Sequence, residues 1–184
     1  MKNILITGGA GFIGTHLTAV LQANGHRVTV LDCLSKQIHG DLEYKPPKSV
    51  NFIYGDVRNA EIVRRAIKGI DAVYHLAAET GTGQSMYEIG RYVDVNEMGT
   101  AVLLEELARS NKNDAQFILA SSRSIYGEGA YGCPNHGLSY PESRVVADLS
   151  NQVWGFLCKS CGIPLESIAT DEYSRINSLS LYAH

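Results

Sequence analysis

The chain has no apolar stretch approaching membrane-spanning length. It also has no cluster of Lys and Arg: 16 basic residues stand against 19 acidic ones, for a formal charge of -3. That leaves no electrostatic footprint for nucleic acid or an anionic lipid surface, so neither a nucleic-acid nor a membrane partner is expected. Neither the h-region nor the cleavage site of a signal peptide is present, because Met1-Lys2-Asn3-Ile4-Leu5-Ile6-Thr7 passes from a short apolar run straight into glycines. A cytoplasmic, reducing location is the expectation, and in it Cys33, Cys133, Cys158 and Cys161 read as thiols or metal ligands rather than disulfides. Internal repeats and low-complexity tracts are lacking too. What is present is 184 residues, 45% hydrophobic and 19% charged. This is one domain's worth of soluble, globular chain whose partner is a small molecule, with no room for two large domains.

Parallel strands buried on both faces read as continuous apolar runs. Ile4-Leu5-Ile6, Val28-Thr29-Val30-Leu31, Val50-Asn51-Phe52-Ile53, Ala72-Val73-Tyr74-His75-Leu76 and Phe117-Ile118-Leu119-Ala120 are such runs. Most are separated by enough chain for a crossover helix. Ile62, Val63, Ala66 and Ile67 mark one face of a helix, with Asn59 placed to cap its start and Gly69 to end it. Met98, Val102, Leu104, Leu107 and Ala108 mark a longer helix. Alternating strands and helices with right-handed crossovers predict an α/β fold, a doubly wound parallel sheet. From residue 127 onward the pattern turns to Gly, Pro, Asn, Ser, Cys and Tyr without a clear period, and reads as an irregular insertion.

Gly9-Ala10-Gly11-Phe12-Ile13-Gly14 lies between the first strand and a helical stretch. Glycine there lets the backbone turn tightly and approach a pyrophosphate, to which the helix N-terminus offers unpaired N–H groups. Eighteen positions after Gly14, at the end of the second strand, Asp32 is placed to accept from a ribose 2′-hydroxyl and to repel a 2′-phosphate. The pair favours NAD over NADP.

With its neighbours, this turn resembles the extended short-chain dehydrogenase/reductase family, in its nucleotide-sugar epimerase and dehydratase branch. Thr7 to Gly14 is similar to that family's TGxxGxxG turn, and Gly55-Asp56-Val57-Arg58 resembles the segment whose Asp contacts adenine. His75-Leu76-Ala77-Ala78 fits the fourth-strand signature, Val95-Asn96-Glu97-Met98-Gly99-Thr100 resembles VNxxGT, and Ser121 to Gly127 resembles the SSxxVYG segment. The resemblance implies a truncated Rossmann domain over residues 1–184. Its cofactor contacts would come from Gly8, Gly11, Phe12, Ile13, Gly14, Asp32, Asp56, Val57, Leu76, Ala77, Ala78 and Asn96. It makes Ser122 the catalytic hydroxyl and Tyr182, in Ser180-Leu181-Tyr182-Ala183-His184, the candidate base of a YxxxK motif whose lysine would be residue 186. An N-terminal portion of a longer enzyme is therefore expected.

The implied chemistry is oxidation of a sugar hydroxyl with hydride transfer to NAD, rotation of the keto-sugar, and hydride return to its other face. The substrate would be a dTDP- or UDP-linked sugar and the assembly a homodimer. Related 4,6-dehydratases carry an acidic pair where this chain has Arg123 and Ser124. That favours 4-epimerisation, since protonating a leaving hydroxyl needs a positioned acid. The stretch from Glu79 to Ile89, with Ser121 to Tyr131 and the Cys-containing insertion, most resembles the dTDP-L-rhamnose 4-epimerase-like group. A non-catalytic NAD-binding or oligomerising module, and a 4,6-dehydratase, are the alternatives.

Cys133-Pro134-Asn135-His136 and Cys158-Lys159-Ser160-Cys161 form two short knuckles with twenty-one residues between them, inside an insertion spanning 129–165. This spacing suits a closed tetrahedral Cys₃His zinc site whose metal folds a segment too small for its own core. Chance thiols and a redox pair at Cys158 and Cys161 are the competing readings, although Gly162 and Pro164 disfavour the helix that a redox CxxC opens. Cys33 reads as a buried thiol beside the second strand.

Overall fold

The computed structural model describes residues 1–41, 44–110 and 114–183, the side chain of Leu181 apart. The chain divides into two compact units, one formed by Met1–Thr80 with Glu88–Ser121, the other by Gly81–Tyr87 with the chain from Ser122 onward.

All five apolar runs become strands of one parallel sheet in the first unit. They are β1 (Asn3–Thr7), β2 (Arg27–Asp32), β3 (Asn51–Tyr54), β4 (Ala72–His75) and β5 (Gln116–Leu119), in the order β3-β2-β1-β4-β5. The continuity of the β1 run has a direct cause. Leu5 points into a cluster with Leu31, Val57, Val63, Ile67, Val73 and Leu103, while Ile4 and Ile6 point the other way into one with Val28, Val30 and Ala72. With both faces covered, the middle of the strand, Ile4 to Ile6, is apolar throughout.

Three helices flank the sheet: α1 (Phe12–Ala23), α2 (Ala60–Ala66) and α3 (Gly99–Arg109). Asn59 caps α2 as expected, its side chain accepting from the amides of Glu61 and Ile62. For α3 the expected face is corrected. Leu103 and Glu106 are its buried side chains, Val102 and Leu107 are half-buried, and Met98 and Leu104 are exposed, along with Ala108. A π-helical turn at Val93–Met98 leads into α3 and shifts its phase against a plain helical count. Burying Glu106 is possible because Arg64 grips both carboxylate oxygens at 2.8 and 3.1 Å, and Arg109 adds a contact at 2.8 Å. The Arg64 guanidinium holds the Glu106 carboxyl below the usual range.

The second unit is largely irregular, as expected, with a small sheet that the sequence did not announce. It holds a three-stranded antiparallel sheet, β6 (Tyr131–Cys133), β7 (Gly137–Ser139) and β8 (Glu166–Ser167), in the order β7-β6-β8. Strands of two or three residues are too short to show a period in sequence. Neither hydrophobic cluster contains a residue of this unit. Among its described residues only Ser85, Ala130, Cys133, Pro141, Cys158 and Ala183 are buried.

Candidate functional site

In the first unit the chain leaves β1 through Gly8 to Gly11 and enters α1, while the parallel strand β4 leaves beside it through Leu76 to Ala78. Ligands of such sheets bind at this reversal of strand order, outside the carboxyl ends. Sterics explain the glycines. A Cβ on Gly14 would lie 2.5 Å from the Gly9 Cα and 2.6 Å from the Gly8 carbonyl oxygen, and one on Gly8 would lie 2.7 Å from the Ala77 amide nitrogen. All of these are backbone atoms, so only glycine lets the turn close this tightly onto α1 and β4. The turn thus stays thin enough for a phosphate to approach its amides. Phe12 and Ile13 open α1 and are exposed.

Asp32 ends β2 beside the turn. Its carboxylate accepts from the Ala10 amide at 3.0 Å and from the Leu34 amide at 2.8 Å, which fixes it while leaving lone pairs for another donor. Asp56 accepts from the Arg58 amide at 2.8 Å, and the Arg58 guanidinium holds its carboxyl below the usual range. Arg58 also pairs with Asp94. Val57 is buried in the core. Cys33, expected to be buried, is exposed, because the side chain after Asp32 leaves the sheet; partial burial and the Asp32 carboxylate push its thiol up.

A relay of hydrogen bonds ties the remaining cofactor candidates together. The Thr100 hydroxyl donates to the Asn96 carbonyl at 2.5 Å, so it accepts from His75 Nε2 at 3.0 Å. His75 is thereby a neutral Nε2–H tautomer whose Nδ1 accepts from the Thr7 hydroxyl at 2.6 Å, and Thr7 Oγ1 accepts from the Ala77 amide at 3.3 Å. Asn96 continues the chain through its side chain, accepting from the Glu79 amide at 2.8 Å and donating to the Glu79 carbonyl at 3.2 Å. Burial holds His75 neutral, its pKa lowered to about 4. Thr7 and Thr100 are the residues that sequence reasoning missed. Both stand inside the TGxxGxxG and VNxxGT matches, and a hydroxyl beside a buried imidazole was the available signal.

The second unit carries the two candidate hydroxyls and all four candidate metal ligands. Ser122 is extended, and its Oγ accepts from the Ser124 amide at 3.2 Å, capping the 3₁₀ turn Arg123–Tyr126. Tyr182 lies in the turn Leu181–Ala183, which packs alongside Arg123–Tyr126 and alongside the helical turn Thr82–Ser85. His184 lies outside the described residues.

Cys133, His136, Cys158 and Cys161 converge, their ligand atoms all within 4.8 Å of one another. The first pair sits where β6 turns into β7, with Cys133 opposite Gly137. The second sits at the end of a hairpin whose flanks bridge at Leu157 and Pro164, with the Cys158 amide donating to the Ile163 carbonyl and the Gly162 amide to the Cys158 carbonyl. Each knuckle closes on a left-handed glycine, Gly137 at φ 74° and Gly162 at φ 73°. Cys133 Sγ lies 3.6 Å from Cys161 Sγ and 3.6 Å from His136 Nδ1, and Cys158 Sγ lies 3.5 Å from His136 Nδ1. Metal–sulfur bonds of about 2.3 Å and metal–nitrogen bonds of about 2.0 Å give tetrahedral edges of about 3.8 Å (S to S) and about 3.5 Å (S to N). The sulfurs are far beyond the ~2.05 Å of a disulfide. Burial opposes the Cys133 thiolate, but hydrogen bonds from His136 and from the Asn135 and His136 amides outweigh it and bring the thiol down to about 6.

Residues 4–144 match the NAD dependent epimerase/dehydratase family. The chain is 36% identical over 160 residues to dTDP-L-rhamnose 4-epimerase of Burkholderia thailandensis, covering 84% of this chain and 44% of that one. It is 41% identical over 133 residues to UDP-glucose 4-epimerase of Neisseria meningitidis serogroup A, covering 70% and 39%. The solved UDP-glucose 4-epimerase of Bifidobacterium longum, in complex with NAD+ and UDP, superimposes with a TM-score of 0.58 at 33% identity, covering 68% of this chain and 38% of that one. The chain therefore spans less than half the length of these relatives. With a five-stranded parallel sheet, a glycine turn at its reversal point and a family match running through both, the chain belongs to the NAD dependent epimerase/dehydratase family.

Proposed function

We propose that the protein binds NAD through its first unit and acts as a nucleotide-sugar 4-epimerase on a UDP- or dTDP-linked sugar. The observation that carries this is the glycine turn with Asp32 beside it: Gly8 and Gly14 leave no room for a Cβ, and the Asp32 carboxylate is held by two amides next to the turn. The backbone of residues 8–14 would bind the pyrophosphate, Asp32 a ribose hydroxyl, Asp56 the adenine, and Val57, Leu76 to Ala78 and Asn96 would line the remainder. NAD, when bound, supplies reversible hydride acceptance at the sugar carbon. Ser122 and Tyr182 would hold and move the proton of the 4-hydroxyl. A tyrosine does this at neutral pH only with positive charge nearby, the part given to the motif's lysine. A 4,6-dehydratase is disfavoured because Arg123 and Ser124 offer no carboxyl to protonate a leaving hydroxyl.

The test has two steps. Calorimetric titration should show NAD+ binding and much weaker NADP+ binding; absence of NAD+ binding overturns the proposal. Incubation of a chain that continues through the motif's lysine with UDP- and dTDP-sugars in D2O should then give the 4-epimer with protium retained at C4, because the same hydride returns. Deuterium at C4, or loss of the 6-hydroxyl, would assign a different reaction. NAD+ binding with no turnover would leave the binding-module reading.

We further propose that Cys133, His136, Cys158 and Cys161 hold a structural zinc ion over the 129–165 segment. Four protein ligands close the tetrahedron and leave no position for substrate. Metal analysis of unchelated protein should find about one zinc per chain, and finding none would refute the site.

A further inference from the structure

The candidate metal ligands and the candidate hydroxyls belong to one unit that has almost no core. Two of the six buried residues among those described in the unit, Cys133 and Cys158, are themselves candidate ligands. Several of the unit's large apolar side chains are on its surface, among them Val146 at 76%, Trp154 at 62%, Leu157 at 62% and Tyr173 at 96% exposure, and Phe156, packed on Tyr131, is only half-buried. The first unit, in contrast, owns both hydrophobic clusters. Hydrophobic burial therefore accounts for the order of one unit and fails to account for the other.

Backbone hydrogen bonds show what the ligand knuckles hold in place. β6 ends in Cys133 and pairs with β8 through Tyr131 opposite Ser167 and Gly132 opposite Glu166. One step outward, the Ile168 amide donates to the Ala130 carbonyl at 2.8 Å. Further along, the Asn177 amide donates to the Ile125 carbonyl at 2.8 Å, inside the turn that Ser122 caps, and the Asn177 carbonyl seats directly against Gly127. The irregular chain beyond Asn177 then reaches the Tyr182 turn, where the Ala183 amide donates to the Ser180 carbonyl and the Ser178 hydroxyl to the Ala183 carbonyl. The short β6–β8 pairing next to the ligand Cys133 and the Asn177–Ile125 hydrogen bond next to Ser122 thus tie the chain between them to both places, and that chain continues to Tyr182.

We propose that zinc at Cys133, His136, Cys158 and Cys161 acts as the fold-determining clamp of the second unit, so that metal occupancy switches the hydroxyl-bearing segments between ordered and disordered while the cofactor-binding unit stays folded. The four ligands are then positioning residues, acting on Ser122 and Tyr182 through the β6–β8 pairing and the segment after it that Asn177 bonds to Ile125. This rests on the zinc and catalytic-pair readings above. It goes beyond them in making the metal a selective control on one half of the chemistry.

The experiment compares zinc-loaded protein with protein stripped by a chelator under reducing conditions, with zinc quantified by mass spectrometry and peptide-level hydrogen exchange as the readout. On stripping, peptides within 122–140 and 157–183 should lose protection by at least about a hundredfold. Peptides from β1, β2 and α2 should keep theirs, NAD+ binding should persist, and one equivalent of zinc, but not magnesium, should restore the second unit. If zinc leaves and protection in 122–140 and 157–183 is unchanged, the clamp is refuted while the zinc site stands. If titration shows no stoichiometric zinc binding, the site itself fails and the clamp with it. If both units lose protection together, the selectivity is refuted. Cys161→Ser, at the exposed ligand, provides a second route to the same comparison without a chelator.

Discussion

Replacing His75 by Gln should remove a component of acid instability that can be sized from the fold. Burial between β4 and α3 lowers the His75 pKa to about 4, from an ordinary 6.5. The unfolded chain therefore takes up a proton on this side chain at a pH where the folded chain refuses it. The neutral imidazole's contribution is fully present above pH 6.5, is lost progressively as pH falls toward 4, and is constant below that. At about 1.4 kcal/mol per pH unit, the loss is about 3 kcal/mol. Gln keeps a neutral acceptor for Thr7 and a neutral donor for Thr100, so His75→Gln costs some packing at every pH and removes the titration. Urea unfolding of both proteins from pH 7 to pH 4 measures this. Far-ultraviolet circular dichroism is the right signal, because the single tryptophan, Trp154, lies in the other unit. Carboxylates common to both proteins cancel in the difference, leaving wild type to lose about 3 kcal/mol more than the variant. Parallel stability curves would refute the neutral, buried imidazole and the relay from Ala77 to Asn96 with it.

Gly14→Ala drives a methyl into the backbone of Gly8 and Gly9, which has no side chain to swing aside. A stability loss of about 1–3 kcal/mol with NAD+ affinity reduced below detection is expected, and near-native binding by calorimetry would contradict the tight turn. Asp32→Asn removes the charge that opposes a 2′-phosphate, so the ratio of NADP+ to NAD+ dissociation constants should fall by at least about tenfold; an unchanged ratio would place cofactor selection elsewhere. Cys161→Ser should lower zinc content well below one equivalent without weakening NAD+ binding, since ligand and cofactor residues belong to different units; full zinc retention would remove Cys161 from the site.

Legibility from sequence followed the size of the element and the range of the interaction. The strands β1, β2 and β4 were readable because their apolar runs are buried on both faces, a condition that the composition of Ile4-Leu5-Ile6 records directly; β3 and β5, at the edges of the sheet, are only partly buried and were readable from composition alone. β6, β7 and β8 were invisible because two or three residues carry no period. The knuckles between them were still readable, since cysteine and histidine at close spacing mark a ligand pair whatever the backbone does. The α3 face was misjudged at Met98, which belongs to the π-helical turn before α3, and at Leu104, which is as apolar as its buried neighbour Leu103. Glu106 was unreadable as a buried residue, because its burial depends on Arg64, forty-two positions earlier. Cys33 was misplaced by extending the β2 environment one residue beyond the strand's end at Asp32.

The π-helical turn at Val93–Met98 also limits how this gene can change in length. Such a turn is geometrically one surplus residue in a helical path, here the path from Ile89 to Arg109. Deleting a codon within it would relax the path to an ordinary helix and rotate everything downstream by about 100° against everything upstream. Asn96 would then lose Glu79, or Thr100 would lose His75 and Leu103 the core. Insertions and deletions fixed during divergence are accordingly expected outside residues 89–109, and this stretch should align without gaps among functional descendants.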